Sequence, residues 1–235
     1  DITLALNNGV GKISVALDAK ELNLAKFKQF LPKDITQFDG KLSYRANHRI
    51  ELDGENIQIA IEDLSLRANG IIAEQNHIVA TLGEKTLTSE LLQLSVLPKS
   101  EVILEGTAVL ALSNLDAHFE SSENTLAKCD AFTISEINLA PTENAGPIGI
   151  SLVDINLENA IFSDNIENDI PALALFDLLN IDRIDVSPVG ANIHNIRLSG
   201  VKVDAELGED KALLNLVKFA KEVEESVQES SLEQT

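Results

Sequence analysis

Along most of the chain apolar residues alternate with polar ones, the period-two signature of strands with one wetted face. Ile2, Leu4 and Leu6 form one run, and Ile13, Val15 and Leu17 the next, separated by Asn7-Asn8-Gly9. Asn and Gly readily take the left-handed conformations of a tight turn, so these runs predict a hairpin. Over residues 22–31 the period changes. Leu24, Phe27, Phe30 and Leu31 fall at helical spacing, and Pro32 ends that segment. Alternation returns at Leu42 and Tyr44, at Ile50 and Leu52, and, past an Asp53-Gly54 turn, at Ile57, Ile59 and Ile61. Further strands are predicted over 78–82, 92–96, 102–104, 109–112, 117–119, 132–139, 148–162, 181–186 and 193–207. Two more helices are expected. One covers 171–179, with Asp169 as a cap and Pro171 in the first turn. The other starts near Asp210, with Leu213, Leu216, Val217, Ala220 and Val223 on one side. Residues 224–235 read as an acidic, flexible tail.

A finer regularity is superimposed on the alternation. With φ for an apolar residue, Leu152, Ile155, Leu157, Ala160 and Phe162 read φxxφxφxxφxφ, and so do Ile193, Ile196, Leu198, Val201 and Val203. Shorter versions are Ile61-Leu64-Leu66, Ile134-Ile137-Leu139, Ile181-Ile184-Val186 and Leu112-Leu115-Ala117-Phe119. Each φxxφ step adds one residue, which on a flat strand would send every later apolar side chain to the wrong face. A bulge or bend absorbs the extra residue. The pattern therefore predicts long, kinked strands with a continuous apolar side, and with Asp154, Asn156, Glu158, Asn195 and Arg197 on the other. Such a sheet either packs on itself as an ordinary core or curls into a groove around something apolar. The apolar set is mostly Ile, Leu and Val, with eight Phe and no Trp, leaving few large aromatics to fill a wide interior.

The 235 residues are 44% hydrophobic, enough for a sizeable core. A net charge of −20 repels phosphate backbones and anionic lipid headgroups, so nucleic acid is not an expected partner. It does not disfavour binding lipid through its acyl chains. The single Cys129 excludes an intrachain disulfide framework and a multi-cysteine metal site. His48, His77, His118 and His194 have no metal-ligand spacing, and no His lies close to Cys129 in sequence. Gly9-x-Gly11 lacks the third glycine of a dinucleotide loop. Asp53-Gly54-Glu55-Asn56 lacks the remaining oxygens of a calcium loop. No G-x-S-x-G elbow occurs. The expectation is no enzyme, no cofactor and no metal. The chain has no Met and no apolar run approaching the length of a membrane span, so a signal or anchor is expected upstream of Asp1.

The stretch Ile181-Asp-Arg-Ile-Asp-Val186, then 193–203 (IHNIRLSGVKV), then 213–219 (LLNLVKF) resembles the AsmA-like superfamily of bacterial envelope proteins. It is most similar to the large members carrying domains of unknown function. Those have an "I-x-x-I-x-L-x-G-x-x-V" strand followed by a polar turn and an "LN-L" helix start; here Ser199-Gly200 is followed directly by Val201. Residues 22–32, ending in Leu31-Pro32, with Phe38-Asp-Gly-Lys-Leu-Ser-Tyr44 and Ile61-Glu-Asp-Leu-Ser-Leu66, resemble another unit of that superfamily. The resemblance covers about half of the chain. It implies a periplasmic β-rich body, anchored in the inner membrane by an N-terminal helix, whose curved apolar interior carries phospholipid acyl chains. It supplies no catalytic residue.

The fold expectation is a mainly β chain with a few short helices. Its long, bulged, strongly curved antiparallel sheet forms a groove-like or open-barrel body, followed by a C-terminal amphipathic helix. One domain is expected over 1–223, divisible at 120/121. The expected lipid-groove lining is Leu152, Ile155, Leu157, Phe162, Ile193, Ile196, Leu198, Val201 and Val203. Two rival functions remain: a structural or adhesive envelope scaffold with a closed core and no lipid, and a hydrolase concealed in acidic loops.

Overall fold

The computed structural model describes residues 2–7, 10–97, 101–120, 125–142, 146–164, 172–188, 190–205 and 207. The amphipathic helix expected from Asp210 and the acidic tail lie outside the described residues. The strands are β1 (Ile2–Asn7), β2 (Val10–Asn23), β3 (Ile35–Asp53), β4 (Asn56–Gln75), β5 (Ile78–Leu82) and β6 (Lys85–Leu97). They continue as β7 (Glu101–Phe119), β8 (Thr125–Thr142), β9 (Gly146–Asp164), β10 (Ala174–Ser187), β11 (Gly190–Ser199) and β12 (Lys202–Val203).

All of them join one antiparallel sheet in the order β1-β2-β3-β4-β5-β7-β8-β9-β10-β11. Two positions in that order hold interrupted strands. β5 and β6 both lie between β4 and β7, broken at Gly83-Glu84, and β11 and β12 both pair with β10, broken around Gly200. The ring of pairings through β4, β5, β7 and β6 follows from that first break. β1 and β11 stand at the two ends of the pairing order.

Short turns enforce this meander. The β1–β2 hairpin closes at Asn7 opposite Val10, and the β3–β4 hairpin at Asp53 opposite Asn56, with Gly54 left-handed at φ 59°. Between β2 and β3 the expected helix is a 3₁₀ helix, Leu24–Phe30, capped by the Asn23 side chain accepting from the Ala25 amide at 2.8 Å. It buries only Leu24, which explains why it stays short.

The strands are longer than alternation alone indicated. The three pieces expected between 102 and 119 are one 19-residue strand, β7, and the runs around Tyr44 and Ile50 are one strand, β3. The kinks between the pieces had hidden their continuity. At Asp154, Asn159, Asn195, Asp63 and Asn114 the residue just before the second φ of a step has φ between 46° and 54°. Gly200, in the same place, has φ 65°. These residues are Asp, Asn or Gly because those side chains tolerate left-handed backbone best.

The kinks are matched from strand to strand. Flanking pairs place Asp154 opposite Ser135 on one side and Asp182 on the other, and Asp182 opposite Asn195, without a register shift. A second line runs through Asn114, Asp130, Asn159, Asp177 and the Gly200 break. The left-handed residues sit on β4, β7, β9 and β11, which all run the same way. The sheet is thus creased along two lines that cross its strands. Polar side chains lace the creases: Ser135 Oγ donates to Asp154 at 3.1 Å, Asn195 Nδ2 to Asp182 at 2.9 Å, and Asn159 Nδ2 to Asp130 at 2.8 Å. At Gly200 an added Cβ would collide with the Asp177 carboxylate. The bending is visible in the backbone. Cα atoms of β7 and β9 come within 8 Å across β8, where two flat spacings would hold them about 9.6 Å apart.

The helix expected over 171–179 is not formed; residues 174–179 belong to β10. Ala174, Phe176, Leu179, Ile181, Ile184 and Val186 repeat the stepped strand pattern, and the crease at Asp177 sets Phe176 and Leu179 three apart. That spacing also belongs to a helix face, and here strand pairing on both sides decides the matter.

Asn159→Val places a β-branched residue in left-handed backbone and removes the bond to Asp130. It is expected to cost about 1–3 kcal/mol, whereas Asn159→Gly costs less than about 1 kcal/mol. Urea unfolding of the two variants checks the order.

Candidate functional site

Paired residues in an antiparallel sheet point to the same face, so the register traces which side chains form continuous rows. One row runs Ala19, Tyr44, Leu66, Leu87, Leu110, Ile134, Ile155, Ile181 and Ile196, from β2 to β11. Its eight steps, at ~4.8 Å each, make a track of about 38 Å perpendicular to the strands. Two residues further along, Leu22, Leu42, Ala68, Lys85, Leu112, Phe132, Leu157, Leu179 and Leu198 form a parallel row. A third joins Leu152, Ile184 and Ile193. The creases keep these rows on one side despite the extra residues.

The sequence-predicted lining residues fall on this face. Leu152, Ile155, Leu157 and Phe162 lie on β9; Ile193, Ile196, Leu198 and Val201 lie on β11 or just past it, and Val203 on β12. β10 lies between the two sets and supplies Ile184, Ile181, Leu179 and Ala174 as the connecting residues. Exposure differs sharply across them. Ile155 is buried at 7%, Leu152 and Leu157 are half-buried, and Phe162 is 37% exposed, its ring 5.8 Å from that of Phe176. On the outer strand, Ile193, Ile196, Leu198, Val201 and Val203 are all exposed, Ile196 to 61%.

Among the described residues no second sheet and no long helix covers the face. Among the described residues no large side chain is fully buried, and Ala46, Ala60, Ala68, Ala108 and Ala160 make up much of the buried apolar set. The apolar side chains are therefore largely shielded by their strand neighbours, not by an opposing layer.

Polar groups interrupt the face in few places. Tyr44 OH lies 2.8 Å from His48 Nε2, with the two rings stacked, and burial pushes the Tyr44 hydroxyl up from its ordinary pKa. Lys85 is half-buried between Ala68 and Leu112, and desolvation pushes its ammonium down. The expected lining omits both the β10 row, although Ile181, Ile184 and Val186 carry the stepped pattern, and Lys85. The first had a signal in the stepped pattern; the second had none, because strand alternation was recognised only from Leu92 onward.

The other chemically able residues are partnered or shielded. His118 Nδ1 is 2.9 Å from Asp116, His194 Nε2 3.3 Å from Asp185, and His77 Nδ1 3.4 Å from Glu120. Burial, the largest influence, pushes the Cys129 thiol up, away from the thiolate a nucleophile needs. A cavity of about 420 Å³ follows the first crease, lined by Asp63, Thr88, Glu90, Thr107, Ser135 and Glu136 among others. No group of three or more His, Cys, Asp or Glu is arranged to hold a metal among the described residues. Comparison with protein-family models, with curated proteins and with solved structures finds no match for the chain.

Cys129 offers a direct check on how closed the sheet is at β8. Thiol labelling with Ellman's reagent at mildly alkaline pH is expected to run more than about tenfold slower on the folded chain than in concentrated urea.

Proposed function

We propose that this chain is a non-catalytic, periplasmic β-sheet segment of an AsmA-like envelope protein that binds or conducts phospholipid acyl chains. The carrying observation is the apolar row from Ala19 to Ile196, which crosses from β2 to β11 and is left without an opposing layer by the described residues. A track of about 38 Å exceeds the ~15 Å that an acyl chain spans in one leaflet of a ~30 Å hydrocarbon core. A bound chain therefore has room to slide along it. Ten methylenes taken out of water contribute about 8 kcal/mol, the scale of micromolar binding before ordering costs. The opposite face, with its acid-rich creases and net charge of −20, keeps the sheet in water. No helix among the described residues is long and apolar enough to cross a membrane.

Extraction of the purified full chain with organic solvent, followed by mass spectrometry, is expected to yield phospholipid near one equivalent or more. Leu179→Asp, one strand in from the edge on the second row, and Leu198→Asp at its exposed end should each cut that amount several-fold. Leu198 is half exposed, so its substitution leaves the fold intact even if Leu179→Asp does not. Repeated lipid-free extracts, from protein that later fails to take up phospholipid in detergent, would favour the closed scaffold instead.

A further inference from the structure

The second row contains one residue that an acyl chain alone does not explain. From Leu22 to Leu198 every position is apolar except Lys85. The lysine opens β6 just after the Gly83-Glu84 break, with Ala68 beside it on β4 and Leu112 on β7. Ala68 is buried at 5%. Among the described residues no carboxylate forms an ion pair with the Lys85 ammonium; Lys26, Lys28, Lys33 and Lys128 lack one too, but they are exposed to water whereas Lys85 is half-buried. The nearest polar neighbour on the same face of β6, Ser89, already donates its hydroxyl to the Thr107 carbonyl. A partly desolvated ammonium without a counter-ion is costly, and the cost is removed when an anion meets it.

The charge of the chain narrows which anion that is. At −20 the protein repels small soluble anions. An anion attached to alkyl chains brings apolar affinity of its own and meets the lysine from within the track. On the β11 side of Lys85 the row continues as Leu112, Phe132, Leu157, Leu179 and Leu198, five steps or about 24 Å. The first row runs beside it as Leu110, Ile134, Ile155, Ile181 and Ile196, about 6.8 Å away. Two rows side by side match the two tails of a diacyl lipid. On the other side only Ala68, Leu42 and Leu22 remain, about 14 Å.

We infer that Lys85 seats the headgroup phosphate of a phospholipid whose two acyl chains lie across β7 to β11. This rests on the acyl-chain reading above and adds a fixed head position and a fixed direction to it. A lipid would then pause at β6, and the headgroup phosphate becomes a determinant of affinity.

The test titrates the full chain with dioleoylphosphatidylglycerol and with dioleoylglycerol in the same detergent micelles, read by native mass spectrometry. The two lipids share their tails and differ in the phosphate head. Wild type is expected to prefer the phospholipid about tenfold, which is about 1.4 kcal/mol. In K85Q the preference falls below about twofold with dioleoylglycerol binding unchanged, and K85R retains it. Circular dichroism establishes that both variants fold. An undiminished preference in K85Q overturns the assignment while leaving acyl-chain binding intact, whereas failure of wild type to bind either lipid overturns the acyl-chain reading itself. Inorganic phosphate is expected not to displace the phospholipid; displacement at millimolar levels would make Lys85 a general anion site and also overturn the assignment.

Discussion

The structure depends on kinks that agree between neighbouring strands. An extra residue in a single strand shifts register and turns its side chains over. Here the extra residues lie opposite one another, as with Asp154 between Ser135 and Asp182, so register survives and the whole sheet bends along a line. Several of the left-handed Asp and Asn residues that make the bend also tie adjacent strands together through their short polar side chains, as Asn159 does with Asp130. One set of residues thus fixes curvature, register and the identity of the wet face. Where the match fails the register slips: between Arg45 and Asn47 on β3 opposite Asp63, and on both sides of β7, between Thr88 and Leu92 and between Ala108 and Leu110.

That arrangement separates the roles of the two faces. The creased side is polar and acidic and confers solubility. The other carries aliphatic rows that no opposing layer among the described residues buries, which is unusual for a sheet of this size because apolar area left in water weakens folding. A lipid tail filling that area would stabilise the sheet as well as being carried by it. On the proposed function, bound lipid is expected to raise the stability of the chain by mass action.

Much of this was legible in the sequence because φxxφ leaves a trace that a one-dimensional pattern can hold. The steps at Ile61-Leu64, Leu112-Leu115, Leu152-Ile155 and Ile193-Ile196 all coincide with left-handed residues in the structure. The helix expected over 171–179 rested on Asp169 as a cap and Pro171 in the first turn, local signals that pairing to β9 overrides over 174–179. Strand lengths were underestimated for a related reason: each crease breaks the alternation that defines a strand locally. Lys85 was invisible, since its meaning comes from Ala68 and Leu112, 17 and 27 residues away along the chain, and only register brings those three together.

The most direct measurement of the one-sided apolar face is site-directed spin labelling, which the single native cysteine makes simple to prepare. In a Cys129→Ser background, nitroxide labels placed singly along β10 can be examined with lipid vesicles carrying a fast-relaxing nickel chelate on the headgroup, and with oxygen dissolved in the acyl region. Labels at Leu179, Ile181, Ile184 and Val186 should report an apolar, oxygen-rich surrounding. Labels at Asn180, Arg183 and Asp185 should report water, with the phase of the alternation stepping at Asp182. Uniform exposure along β10, or alternation that continues through Asp182 without a step, would contradict a creased sheet with one oily side.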